Sequence, residues 1–129
     1  MNLNNHINVD RLRKFARSLK HALRGLAYVL RYEKNFQNQV AIAIVVVIGM
    51  FYFNLTRGER VILFLVIMEV LVMELLNTVV ERVVDILKPR IHPYARLIKD
   101  LMASTVLLSA ILAITIGWII FLPHLRIRF

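Results

Sequence analysis

The 129-residue chain contains no cysteine, which excludes disulfide bonds and thiolate metal centres. It has only four glycines, Gly25, Gly49, Gly58 and Gly117. They are too scattered to build a P-loop or the glycine-rich loop of a soluble kinase. Acidic residues are also scarce, 8 Asp and Glu against 17 Lys and Arg, for a net charge of +9. A soluble protein with that balance would be a candidate nucleic-acid binder. Here hydrophobic residues make up 59% of the chain and the mean hydropathy is +0.66, too apolar for an ordinary soluble domain. Basic charge beside long apolar runs points to a membrane surface rather than to nucleic acid.

Three apolar runs are present: Val40–Leu55, Val61–Leu87 and Leu101–Leu122. A helix needs ~20 mostly apolar residues to cross a bilayer. With their flanks, the runs predict spans at about 36–55, 61–87 and 97–122. The first long run starts too late, and after too basic a segment, for a signal peptide. Ahead of the spans, residues 10–32 repeat Leu12, Phe15, Leu19, Leu23, Leu26 and Leu30 at three- and four-residue steps, with Arg and Lys on the other face. That pattern predicts an amphipathic helix lying in the membrane interface. Residues 1–9 are Asn-rich and expected to lack regular structure. The fold expected is an all-α membrane protein, a single domain over residues 1–129.

Short polar segments join these pieces. EKNFQNQ, at 33–39, reads as a hinge into the first span. TRGER, at 56–60, reads as a tight turn centred on Gly58. In the loop KPRIHPYAR, at 88–96, Pro89 and Pro93 stop the second helix, and Pro123 is expected to close the third. Thirteen of the 17 Lys and Arg fall in the N-terminal segment or around the 88–96 loop. That excess puts both on the cytoplasmic side.

The second run carries Glu74, Asn77, Glu81 and Asp85. At 100° per residue these four fall within about 80° of one another, on one face of the helix. At 1.5 Å per residue, Glu74 lies roughly 20 Å from the start of the run and Glu81 roughly 30 Å, so the face climbs towards the cytoplasmic headgroups. Lys99, Asp100 and Glu33 fall at the same level. Carboxylates that hold Mg²⁺, a cation for phosphate oxygens and a base for a hydroxyl are the parts phosphoryl transfer needs. An ion or proton path and helix–helix glue fit the same spacing. Glu69, about 140° from Glu74 around the helix, lies off this face and has no role in it.

The stretches "ELLNTVVERVVD" and "HPYARLIKD", with "RGLAYVLRYEKNF" upstream, resemble the prokaryotic membrane-integral diacylglycerol kinase family, which includes undecaprenol kinases. The resemblance covers roughly residues 14–120. It implies an ATP- and Mg²⁺-dependent lipid kinase of the bacterial cytoplasmic membrane. It also implies a homotrimer with three spans and one surface helix per chain, its active sites shared between subunits. By position, Glu74 would be the base for the lipid hydroxyl, and Glu33 and Glu81 would hold Mg²⁺. Lys99 would bind phosphate oxygens, with Asp100 positioning it or the nucleotide. Asn77 and Asp85 would orient the site and bind nucleotide. Arg90 and His92 would touch the nucleotide, and Lys14 its phosphates. Asn35, Gln39 and Ala103 would flank the path of the lipid. The chain departs from the pattern at Gln39, where diacylglycerol-specific members carry an acid, at Val79, in place of a small residue, and at His21, in place of an aromatic. The "EKNFQNQ" segment is more similar to that of members acting on undecaprenol, which makes undecaprenol the expected substrate over diacylglycerol. The alternative is a non-catalytic trimeric membrane protein, a scaffold or an ion or proton path.

Overall fold

A computed structural model describes residues 3–87 and 93–128, with side chains over 9–87 and 93–125. Among the described residues there are four helices and no strand: α1 (Leu3–Tyr32), α2 (Lys34–Tyr52), α3 (Arg57–Leu87) and α4 (Tyr94–Arg128). The last three are long and apolar enough to cross a membrane, as the hydropathy pattern predicts.

The chain divides into two compact units, residues 1–34 and 35–129. The first unit is essentially α1. It begins at Leu3, well before residue 10, so most of the Asn-rich segment is helical. Leu12, Phe15 and Leu23 on its apolar face are exposed. The expected seven-residue hinge reduces to Glu33, whose N–H still donates to the Val29 carbonyl at 3.0 Å.

In the second unit, α3 and α4 form an antiparallel hairpin with extensive contact between them. α2 joins it mainly at one end. There Met50, Leu55, Leu63 and Ile120 form the buried core, with Phe53 and Phe121 packed edge to face at a centroid distance of 5.8 Å. Gly49 permits that approach, because a Cβ at this position would stand 3.2 Å from the Phe121 ring. Running from this end, α2, α3 and α4 border an apolar groove of about 330 Å³ lined by Gln39, Val46, Leu63, Val70, Ala113 and Phe121 among others.

The α2–α3 turn differs from the expected one. Asn54 makes the reversal, with φ at 50°, in the left-handed region that Asn tolerates better than most residues. Gly58 is already helical. Thr56 instead starts α3 through a capping box. Its N–H and hydroxyl both donate to Glu59 Oε2 at 2.8 Å, and its oxygen accepts from the Glu59 N–H at 3.3 Å. At the other end of the hairpin α3 stops at Leu87, and Pro93 immediately precedes α4. Pro89 lies outside the described residues. Pro123 does not close the last helix: α4 continues through it to Arg128. The ring removes one backbone donor, and the turns on both sides hold the helix across that gap.

Candidate active site

The acidic face of α3 is real in space, and its burial is graded. Glu74, Asn77 and Thr78 are buried, Glu74 to 4% exposure. Glu81 and Asp85, one and two turns further on, are exposed. The first part of the face packs inside the unit, and in the last turns Val84 is buried while Glu81 and Asp85 stay exposed.

Hydrogen bonds tie the face together. Thr78 Oγ1 donates to the Glu74 carbonyl at 3.0 Å, so its hydroxyl is satisfied within its own helix. Asn77 Nδ2 donates to Glu81 Oε1 at 3.2 Å, which aligns the amide with the carboxylate one turn on. Asn77 Oδ1, also buried, accepts no hydrogen bond. A buried acceptor without a donor is costly, and one beside a carboxylate suits a hard cation.

α4 contributes the cation. Lys99 Nζ donates to Asp85 Oδ1 at 2.7 Å, an ion pair between side chains that are 33% and 46% exposed. An ammonium has three donors, so Lys99 keeps N–H groups for another oxygen-rich partner. Asp100 follows on the exposed first turns of α4, where its carbonyl accepts from Ser104 Oγ at 2.8 Å. Ala103 is exposed one turn later.

The structure thus brings Glu74, Asn77, Glu81, Asp85 and Lys99 to one end of the α3–α4 hairpin. Gln39 lines the groove on the α2 side, and Asn35 is exposed near the start of α2. Lys14 and Glu33 belong to the first unit, where Lys14 is exposed on α1 and Glu33 is half-buried. Arg90 and His92 lie outside the described residues. Among the described residues no three carboxylates or histidines are gathered into a ready-made metal cage. The oxygens of Asn77 and Glu81 are nevertheless of the type Mg²⁺ prefers, and that ion keeps several waters rather than requiring a full protein cage.

Sequence reasoning passed over two features. One is the Thr56–Glu59 capping box, legible as T-R-G-E. The other is buried Ser109 on α4, which donates to Glu69 Oε2 at 2.5 Å. Within an apolar run a lone serine signals little until its partner is known.

Residues 20–121 match the family described as prokaryotic diacylglycerol kinase. The undecaprenol kinase of Bacillus subtilis is 40% identical over 116 residues, covering 90% of this chain and 94% of the relative. The diacylglycerol kinase of Synechocystis is 32% identical over 109 residues, or 84% and 62% of the two chains. That of Pseudomonas aeruginosa is 30% identical over 107 residues, or 83% and 86%.

Proposed function

The chain belongs to the prokaryotic diacylglycerol kinase family, and we propose that it transfers the γ-phosphate of ATP to the hydroxyl of undecaprenol in preference to diacylglycerol. The observation that carries the chemistry is the graded face of α3, with Glu74 buried, Glu81 exposed, and Lys99 of α4 beside Asp85. The lipid preference is supported by the relative at 40% identity, whose substrate is undecaprenol, and by Gln39 in place of an acid. The groove that Gln39 lines is otherwise apolar, which suits a hydrocarbon chain.

In this reading Glu74 takes the proton from the lipid hydroxyl. Its apolar surroundings keep bulk water from competing for the carboxylate. Asn77 is oriented by Glu81, and Glu81 would hold Mg²⁺ with the Asn77 amide oxygen beside it. When bound, Mg²⁺ supplies charge neutralisation at the phosphate oxygens of ATP. Lys99 binds a phosphate oxygen while Asp85 holds its ammonium in place. Asp100 positions Lys99. Lys14 and Glu33 keep the roles assigned by family likeness, phosphate contact and metal binding. The basic bias around α1 and the α3–α4 connection supports a site on the cytoplasmic face. The assembly in this reading is a homotrimer, which the family resemblance and the open outer turns of the site in one chain support.

The test is transfer of label from γ-labelled ATP, by purified protein in mixed micelles with Mg²⁺, to undecaprenol and diacylglycerol in parallel. Faster labelling of undecaprenol is expected. Faster labelling of diacylglycerol would overturn the lipid assignment alone. No label on any lipid alcohol, from folded protein, would overturn the kinase reading and favour a non-catalytic membrane protein.

A further inference from the structure

Glu69 is a carboxyl group inside the apolar run of α3 that the proposed chemistry does not use. It lies five residues before Glu74 and about 140° around the helix, off the acidic face. Val66, Ile67, Met68, Val70 and Leu71 surround it in sequence. A leucine there would suit a membrane far better, since ionisable groups in spans are costly. Its partner is Ser109, on α4, which is 4% exposed and donates to Glu69 Oε2.

Two further polar contacts cross from α3 to α4 on either side of it. Asp85–Lys99 lies at the site end, at 2.7 Å, and Glu59–His124 at the turn end, at 3.7 Å. Both of those involve groups at the ends of the apolar runs. Between them Glu69–Ser109 is a polar contact among mainly apolar side chains, with Glu74, Asn77 and Thr78 buried further along α3. Apolar side chains give two helices in lipid little preference for one register, because lipid tails are as apolar as leucine. A directional hydrogen bond does. Slipping α4 by one turn moves Lys99 about 5.4 Å along α3, too far to keep both Asp85 and a phosphate held over Glu81.

We infer that Glu69 and Ser109 form a positioning pair that holds α4 in one register on α3 and so places Lys99 at the acidic face. The functional half of this inference rests on the kinase reading. The structural half does not.

The chain has no cysteine, so spin labels can be introduced at chosen sites alone. Val83 and Leu101 are exposed positions near the site end of the two helices. Labels there, in protein diluted with unlabelled chains, report the register as an intrachain distance. In the parent chain a single distance is expected. Glu69→Leu and Ser109→Ala should each add a second population displaced by about 5 Å. Glu69→Gln, whose amide oxygen still accepts from Ser109, should keep the single distance. Kinetically, Glu69→Leu and Ser109→Ala should each raise the KM for ATP by about fivefold. The double variant should do no worse than the poorer single one, because both changes remove one contact. A purely structural loss would instead lower kcat with the folded fraction and leave KM unmoved.

An unchanged distance in Glu69→Leu overturns the register role, whatever the kinetics. A shifted distance with an unchanged KM, in protein that phosphorylates lipid, overturns the positioning of Lys99. If the parent chain labels no lipid alcohol at all, the kinase reading falls, and the distances still decide the register.

Discussion

The two ends of the α3–α4 hairpin use polar residues in opposite ways. At the turn end, Thr56 and Glu59 spend their oxygens on capping α3, and Met50, Leu55, Leu63 and Ile120 form a buried core nearby. Even Arg60, whose buried Nε has no hydrogen-bond partner, lays its guanidinium 5.3 Å from the centre of the Phe51 ring, where a cation is favoured. At the site end, Glu81 and Asp85 are exposed, Asn77 presents an unused buried oxygen, and the ion pair Asp85–Lys99 is open to solvent. One end is built to be finished, the other to receive something. A group that must bind a ligand cannot also be fully satisfied by its own fold.

That contrast can be broken by substitution. The largest effect is expected at Glu74. Glu74→Gln keeps the shape and removes the base, so kcat should fall by about 10²–10⁴-fold while binding of ATP, read by equilibrium titration, changes little. Unchanged turnover would remove Glu74 from the chemistry. Glu81→Ala should come next, with a loss of about 10²-fold in transfer that added Mg²⁺ partly restores; an equal loss at every Mg²⁺ concentration would argue against a metal ligand. Lys99→Met should raise the KM for ATP by about tenfold, the size of one charge-assisted contact to phosphate. None of the three should lower thermal stability appreciably.

The turn end should answer in the reverse sense. Leu55→Ala opens a cavity in the core and should cost about 2 kcal/mol of unfolding free energy, the low end for such a truncation because lipid supplies no hydrophobic drive. Thr56→Ala removes the cap and should cost about 1 kcal/mol. Turnover per folded molecule should stay within twofold for both, measured against the folded fraction in detergent. A strong loss of turnover from either would mean that the two ends are not separable.

Much of the site was legible because helical geometry is simple. Steps of three, four and four residues put Glu74, Asn77, Glu81 and Asp85 on one face in any α-helix, and the structure keeps them there. The misreadings occurred where local chemistry competes. Gly58 invites a turn, yet Thr56 and Glu59 cap a helix across it, and the reversal falls on Asn54. Pro123 reads as a stop, but one missing donor does not end a helix already held on both sides. Glu69 had no role in the sequence because its partner is forty residues away, on another helix.

By itself the sequence determined that the chain is helical, that three of its segments are long and apolar enough to cross a membrane, and that Glu74, Glu81 and Asp85 share one stripe of α3. These properties depend on hydropathy and on residues a few positions apart, and the 3.6-residue repeat fixes them before any packing occurs. Only the tertiary structure decided that Glu74 is buried while Glu81 is open, that Lys99 meets Asp85, and that Glu69 meets Ser109. Each of those depends on the register of α4 against α3, which is set by contacts between residues far apart in the chain and so is absent from any local pattern.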